Sequence, residues 1–244
     1  MNRFLLQYSE IRNKNVVFTP EQSKKIRKVL RLKPKDKVIA FDNKGWEYLV
    51  ELEKIRNQET VGKIIDQTLN ERKTNITLYQ ALPKSLKVEY IIQKCTELGI
   101  DNIVFFESEF SQVKSELIND KKITRWRKIA NEASEQCGRV FVPEVVLHKE
   151  GLNNILEKIK FTENNFDKTI FLDKEGKYIN DEKFINLDYD NVNFFVGPEG
   201  GFSPTETKIF ESFKIRSVKI SKNILRSETS GVVLLSQIQF KIDN

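Results

Sequence analysis

After residue 75 the chain alternates strand-like and helix-like segments, and this alternation restricts its fold more than any other feature. Strands are expected at 76–82, 103–106, 169–172, 193–196 and 215–220. Helices are expected in a segment ending at Gly99 and over 121–137, 152–159, 204–213 and 228–240. Strands that are joined by crossover helices run parallel in one sheet. The pattern therefore predicts an α/β fold with a mainly parallel sheet.

The beginning of the chain follows a different pattern. Residues 19–22 (TPEQ) predict a capped helix start, and Pro34 is expected to end that helix. Residues 37–52 alternate apolar and polar side chains around the turn-like segment 42–45, which predicts a hairpin. This part of the chain is therefore expected to be a small, mostly β module with one helix.

Charge divides the chain at the same place as the predicted structure. Residues 1–72 carry 16 basic and 10 acidic side chains, whereas the remainder carries 25 of each. A wholly polar segment at 70–75 is typical of a linker. We therefore expect two domains, residues 1–72 and residues 73–244, and the whole basic excess belongs to the first.

Eight of the basic residues lie within residues 24–37, the basic stripe, against one acidic residue, Asp36. Like charges on a short helix repel each other, and an anionic partner offsets that repulsion. A phosphate backbone is such a partner, and a solvated helix face is the alternative interpretation. The candidate RNA-binding residues are Lys24, Lys25, Arg27, Lys28, Arg31 and Lys33.

Composition excludes several other classes of function. Two cysteines, Cys95 and Cys137, and one histidine, His148, are too few for a zinc or iron–sulfur site, so no metal is expected. A single histidine without a GxSxG motif also argues against hydrolysis by a catalytic triad. Both cysteines fall on apolar helix stripes and are expected in the core. Without a long apolar run or signal peptide, we expect no membrane span and a cytoplasmic protein.

Residues 194–206 (FFVGPEGGFSPTE) predict an apolar strand, a tight glycine loop and a capped helix. Ser203 and Glu206 form the expected capping box. Three of the ten glycines lie within residues 197–201, and the lack of a Cβ lets a ligand approach the backbone closely. The loop matches neither the dinucleotide nor the P-loop pattern. Its spacing alone leaves open whether it binds a ligand or only turns into a helix.

Residues 220–230 (ISKNILRSETS) also leave a strand and enter a helix. Ligands bind at the carboxyl ends of strands in parallel sheets, so we expect the two loops to meet there and bracket a flat ring. Residues 231–240 are apolar on more than one side of the predicted helix. A subunit interface explains that pattern, and a deeply buried core helix is the alternative.

Together with residues 81–100 and 125–145, these two loops resemble the small-subunit rRNA uracil-N3 methyltransferase family of the SPOUT class. Residues 29–52 are similar to that family's PUA-like RNA-binding domain. The resemblance implies S-adenosylmethionine-dependent methylation of uracil N3 at a specific uridine of 16S rRNA. It also implies a homodimer, a SPOUT-type parallel sheet with a C-terminal trefoil knot, and rRNA or the small ribosomal subunit as partner.

Site residues follow from the same resemblance, position by position. The candidate cofactor-binding residues are Leu172, Gly197, Glu199, Gly200, Gly201, Ile220, Ser221, Ile224, Leu225 and Arg226. Methylation of N3 removes an imide proton and leaves an anion to be stabilised, and Arg226 and Arg139 are the candidate catalytic residues. Glu199 and Glu228 either accept the proton or support a loop, and support is favoured. No general base is assigned.

This chain departs from the family pattern at three places. The family usually has Leu-Gly at Ile220-Ser221 and arginine at Asn223, which affects the backbone beside the adenine. An arginine is also replaced by Phe110, which removes a possible RNA or interface contact. Cys137 stands where serine is more usual, a mild change.

Two other functions are compatible with parts of this pattern. A non-catalytic RNA-binding or ribosome-assembly factor of the same architecture is the alternative, and cofactor binding distinguishes the two. A Rossmann-type methyltransferase is disfavoured, because its glycine loop follows the first strand of the catalytic domain, where this chain has residues 83–85 (PKS).

Overall fold

The computed structural model describes residues 1–7, 10–72, 74–163, 168–179 and 191–242. The chain divides into two compact units, of which the first holds residues 1–72 and 131–142 and the second holds the rest. Lys73, in the predicted linker, lies outside the described residues. The assignment of 1–72 to RNA binding and 73–244 to catalysis stays a prediction.

The first unit is built on a six-stranded sheet. Its strands are β1 (Arg3–Leu5), β2 (Ile11–Arg12), β3 (Asn15–Phe18), β4 (Lys37–Phe41), β5 (Trp46–Ile55) and β6 (Thr60–Leu69), in the order β1-β4-β5-β6-β3-β2. β1 and β4 are parallel, and the other neighbouring pairs are antiparallel. Tyr48, Val50 and Leu52 of β5 are buried, as the alternation of side chains requires. The predicted hairpin is confirmed.

Helix α1 (Pro20–Lys24) begins at the predicted capping box, in which Thr19 Oγ1 accepts from the backbone N–H of Gln22. A π-helical turn, Lys25–Val29, continues it and ends at Leu30. Arg31 then adopts a left-handed conformation with φ of 54°, which stops the helical hydrogen bonding. The prediction that Pro34 ends the helix is therefore wrong.

The second unit is built on a six-stranded sheet in which every neighbouring pair is parallel. Its strands are β7 (Asn75–Ala81), β8 (Asn102–Phe106), β9 (Glu144–His148), β10 (Thr169–Tyr178), β11 (Asn191–Val196) and β12 (Arg216–Lys219), in the order β12-β10-β11-β7-β8-β9. Its helices are α2 (Ser85–Glu97), α3 (Asp120–Cys137, from Asn131 onward in the first unit), α4 (Leu152–Glu163), α5 (Pro204–Ser212) and α6 (Ser227–Ile242). The predicted α/β fold with a parallel sheet is confirmed, although β9 was not predicted. None of the described helices is long and apolar enough to cross a membrane.

Residues 131–142 join the first unit through specific contacts. The backbone N–H of Val142 donates to Asn43 Oδ1 over 2.6 Å, and Lys25 Nζ lies 2.8 Å from Glu135 Oε2. These partners are about 100 residues apart in sequence, so no local sequence pattern predicts the contacts. A segment from the middle of the chain thus completes the amino-terminal unit.

The two cysteines lie in different surroundings. Cys95 is fully buried on α2, and burial raises the pKa of its thiol to about 12, so the thiol stays protonated. Cys137 is exposed, and the prediction that it is a core residue is wrong. The buried positions of this part of α3 are Ala133 and Ser134. Cys137 is the last residue of the helix, so no further helical turn shields its side chain.

A cluster of aromatic rings holds β10, β11 and α5 together. The rings of Phe171 and Phe210 stack with centroids 4.3 Å apart, and Phe195 meets Phe210 edge to face at 5.2 Å. All three side chains are almost fully buried. Such aromatic pairs add to the stabilisation that burial itself provides. The elements on both sides of the loop that follows β11 are therefore packed against one core.

Candidate active site

Two loops leave the parallel sheet at the carboxyl ends of β11 and β12. We call residues 197–203 the glycine loop and residues 220–226 the second loop. β10 lies between these two strands, and its Leu172 pairs with Val218 of β12. Both loops therefore emerge at the same edge of the sheet, one on each side of β10, where parallel sheets bind ligands.

A buried hydrogen-bond network joins the glycine loop to the helix that follows the second loop. Ser227 Oγ donates to the carbonyl oxygen of Gly197 over 2.6 Å. Gln80 Nε2 on β7 donates to Ser227 Oγ over 3.0 Å and lies 3.4 Å from the carbonyl oxygen of Val196. Gln80 and Ser227 are both buried. The glycine loop is therefore bonded to the residue that directly follows the second loop.

An ion-pair cluster connects the glycine loop to the start of α6 nearer the surface. Lys87 Nζ on α2 lies 2.9 Å from Glu199 Oε1 in the glycine loop and 3.1 Å from Glu228 Oε2 at the start of α6. We call these three residues the Lys87 cluster. The sequence analysis did not identify Lys87, because its two partners lie more than 100 residues away in the chain.

The charges of the Lys87 cluster are reinforced by its contacts. The hydrogen bond to Glu199 raises the pKa of Lys87. Partial burial raises the pKa of Glu199, but the hydrogen bonds from Lys87 and from backbone N–H groups outweigh it and leave the pKa below its usual value. Both groups are therefore charged at neutral pH. Glu199 in this state is a poor proton acceptor and a good support for the loop.

The backbone of the glycine loop requires two of its glycines. Gly201 has a φ of 75°, which side chains rarely adopt, and its N–H donates to the carbonyl oxygen of Pro198. A Cβ on Gly197 would lie 3.1 Å from the carbonyl carbon of Gly201. A Cβ on Gly201, by contrast, would meet no described atom within 4 Å. The loop is thus tightly folded on itself and open on its outer side.

The predicted capping box at the start of α5 is confirmed, and its carboxylate has further partners. Glu206 accepts hydrogen bonds from the backbone N–H of Ser203, the hydroxyl of Ser108 and the backbone N–H of Glu109. Glu206 is buried, as are Ser203 and Ser108. One carboxylate thus holds both the end of the glycine loop and the turn after β8. The capping motif predicts only the first of these contacts.

The second loop presents an apolar side chain, Ile224, and two cationic ones, Lys222 and Arg226, to its surface. Ser221 Oγ accepts from the backbone N–H of Asn223, and the carbonyl oxygen of Arg226 accepts from the first turn of α6. Ile224 is 86% exposed. The guanidinium of Arg226 is exposed and makes no hydrogen bond or ion pair with the described residues. It is therefore available to an anionic group.

The predicted site residues separate into two sets. All the cofactor candidates lie on β10, the glycine loop or the second loop, so the structure brings them to one edge of the second unit. Arg139 and the RNA-binding candidates belong to the first unit. Those RNA-binding candidates are all exposed, and Lys25 is already paired with Glu135. What each residue binds stays a prediction.

No group of three or more His, Cys, Asp or Glu side chains arranged to hold a metal ion occurs in the part of the chain that the structure describes. The polar side chains at the loops instead support backbone or carry charge, as the Lys87 cluster and Glu206 do. The arrangement offers a backbone surface, apolar side chains and a free cation.

Comparison with known proteins identifies the family of most of the chain. Residues 70–239 match the family described as RNA methyltransferase domain, and residues 18–65 match the RNA methyltransferase PUA domain. These two matches cover the parallel sheet with its loops and most of the amino-terminal sheet. The predicted PUA-like domain is therefore confirmed.

Individual relatives extend over almost the whole chain. Ribosomal RNA small subunit methyltransferase E of Bacillus subtilis (strain 168) is 30% identical over 92% of this chain and 90% of its own. The protein of the same name from Buchnera aphidicola subsp. Schizaphis graminum is 29% identical, with 98% and 96% covered. A crystal structure of ribosomal RNA small subunit methyltransferase E from Neisseria gonorrhoeae bound to S-adenosyl methionine is similar with a TM-score of 0.85, at 28% identity over 98% of this chain and 97% of that one. As its sequence resemblance predicts, the chain belongs to the RNA methyltransferase family that includes these small-subunit rRNA enzymes.

Proposed function

We propose that the protein transfers a methyl group from S-adenosylmethionine to N3 of a specific uridine in 16S rRNA. The observation that carries this proposal is the hydrogen bond between Ser227 and Gly197, which holds the start of α6, directly after the second loop, against the glycine loop. The relative from Neisseria gonorrhoeae is similar over nearly its whole length and was crystallised with S-adenosyl methionine. Family membership supports RNA as the substrate class.

The residues at the two loops fit this cofactor. The outer side of the glycine loop at Gly201 leaves its backbone open to close approach. Leu172 on β10 and Leu225 in the second loop are half-buried apolar side chains, suited to the faces of an adenine ring. S-adenosylmethionine, when bound, supplies an electrophilic methyl group on a sulfonium. The chain's own contribution is to hold both reactants in line and to exclude water from between them.

Arg226 is the residue we propose to stabilise the anion of the uracil ring. Its guanidinium is exposed at the end of the second loop and is not engaged by any described side chain. A fixed positive charge near the uracil oxygens lowers the energy of the state that has lost the imide proton. Arg139 is the second candidate for this role. Glu199 and Glu228 support the loops through Lys87, and no proton acceptor is assigned.

The first unit is proposed to deliver the RNA. N3 lies on the Watson–Crick edge, so the target base must be unpaired or extruded, which costs a few kcal/mol for a stacked base. Phosphate contacts from the basic stripe offset that cost. Its proposed partner is 16S rRNA or the small ribosomal subunit, which places the protein in the cytoplasm.

We also propose the knot and the dimer that the family resemblance implies. In sequence, the second loop and α6 come after the glycine loop, and Ser227 lies against Gly197, an arrangement compatible with a chain that threads past that loop. On α6, Leu234, Leu235 and Ile238 are buried while Phe240 is 67% exposed. An apolar helix that exposes a large apolar side chain such as Phe240 supports a contact with a second copy.

Cells without the gene should lack a single 3-methyluridine in 16S rRNA. Mass spectrometry of digested rRNA measures this loss, and the gene supplied on a plasmid should restore the nucleotide. A Gly201→Val variant should not restore it, because a side chain strains the left-handed backbone and fills the open side of the loop. Unchanged 3-methyluridine in the deletion strain would refute the proposal. A purified protein that does not bind S-adenosylmethionine, together with a subunit-assembly defect in the deletion strain, would instead favour the non-catalytic factor.

Lys87→Met should weaken S-adenosylmethionine binding by about fivefold, or roughly 1 kcal/mol, because Glu199 and Glu228 then repel each other across the loops. Calorimetric titration of the purified protein measures the affinity. Lys94→Met is the matched control, since Lys94 lies two turns further along the same helix and its ion-pair partner among the described residues is Glu97. Equal affinities of the two variants would show that the Lys87 cluster does not position the loops.

Replacing Arg27, Lys28 and Arg31 together with alanine should weaken RNA binding and flatten its salt dependence. Three lost phosphate contacts reduce the slope of log affinity against log salt by roughly 2 to 3. Filter binding to 16S rRNA fragments at several salt concentrations measures the slope. The control variant replaces Lys54, Arg56 and Lys63 with alanine. These residues are exposed, belong to the same unit and lie outside the basic stripe, so their replacement removes the same charge. The same slope in both variants would reject the basic stripe as the contact surface.

A further inference from the structure

An exposed aromatic side chain lies beside the glycine loop and has no role in the site described so far. Phe110 follows β8 and is 48% exposed. It occupies a central position of a turn in which the backbone N–H of Ser111 donates to the carbonyl oxygen of Ser108 over 2.9 Å. Its ring makes no contact with another aromatic ring among the described residues. One face of this apolar group is therefore open to solvent.

The turn that carries Phe110 is firmly held. The hydroxyl of Ser111 accepts from the backbone N–H of Ser108, and Glu206 accepts from Ser108 Oγ and from the backbone N–H of Glu109. Ser108, Ser111 and Glu206 are all buried. A ring on such a turn loses little conformational freedom when a flat ligand stacks on it. An exposed aromatic residue of this kind is suited to binding and adds nothing to the core.

The ring also lies close to the glycine loop, at Gly200. A Cβ on Gly200 would be 3.5 Å from both Cβ and Cδ2 of Phe110, a normal van der Waals distance. Glu206 binds the turn of Phe110 and caps the helix that follows the glycine loop, so the two segments share one support. Phe110 is thus positioned beside the loop to which we assign the methyl donor.

We propose that Phe110 is the surface on which the target base, or the nucleotide next to it, stacks while the methyl group is transferred. The inference rests on the proposed function, because the acceptor must reach the donor at the glycine loop. Phenylalanine has no hydrogen-bonding group, so it binds a base through its π face and not a phosphate. It therefore contributes affinity for an extruded base without selecting which base it is. Discrimination of uracil falls to other groups.

Stacking of one base on an aromatic side chain is worth about 1–3 kcal/mol, or roughly 5- to 150-fold in affinity. Phe110→Ala should raise KM for the RNA substrate by a factor in that range. Phe110→Tyr and Phe110→Trp should keep KM near its original value, because both retain a ring. Affinity for S-adenosylmethionine should stay the same in every variant, since the ring lies outside the backbone of the glycine loop, beside Gly200.

The experiment uses the purified full chain, small ribosomal subunits from cells lacking the gene, and S-adenosylmethionine with a radioactive methyl group. Initial rates at increasing subunit concentration separate KM from kcat, and calorimetry gives the affinity for the donor. Leu117→Ala is the matched control, because Leu117 is an exposed apolar residue, 68% exposed, on the same connection between β8 and α3. It should behave as the unmodified protein does.

Three results would overturn the stacking role while methyl transfer by the unmodified protein continues. They are an unchanged KM in Phe110→Ala, a KM that the tyrosine and tryptophan variants do not restore, and a loss of donor affinity as large as the rise in KM. The last result would make Phe110 a support of the glycine loop. If the unmodified protein transfers no methyl group, the proposed function fails and this inference fails with it.

Discussion

The position of the whole candidate site depends on one buried hydroxyl. Ser227 donates to the backbone of Gly197 and accepts from Gln80, and each of these polar groups is shielded from water. Buried polar groups need partners, so α6 is held with its first residue against the glycine loop. Because the second loop leads directly into α6, its end is fixed by the same bond. Two segments thirty residues apart therefore form one surface.

Three carboxylates near this contact bind the segments that form the candidate site. Glu199 and Glu228 share the charge of Lys87, and Glu206 accepts three hydrogen bonds from two segments of chain. Arg226 is an exposed cation at the end of the second loop. Such an arrangement is suited to the methyl transfer that we propose, because transfer to a uracil anion requires positioned reactants and a stabilised negative charge.

Local patterns predict much of this structure because they are local in physical origin. Capping boxes at Thr19 and Ser203 depend on side chains three residues apart, and alternating strands and helices dictate a parallel sheet. The loops follow from these elements, since carboxyl ends of parallel strands share one edge.

The remaining features depend on contacts between distant residues. Lys87 meets its partners across more than 100 residues, and Glu206 has a second role that its capping motif does not contain. The hydrophobic pattern of α3 continues to its last residue, but exposure of Cys137 depends on where the helix ends. Membership of residues 131–142 in the first unit depends on Asn43 and Lys25, which sequence periodicity does not connect with them.

The central claim is that the glycine loop and the second loop form a single site for the methyl donor. Hydrogen–deuterium exchange of the full chain, with and without S-adenosylmethionine, tests it most directly. The backbone N–H groups of residues 199–201 and 221–226 should both become protected when the donor is added, while those of β5 stay unchanged. Protection of only one of the two loops, or protection confined to another part of the chain, would contradict the account.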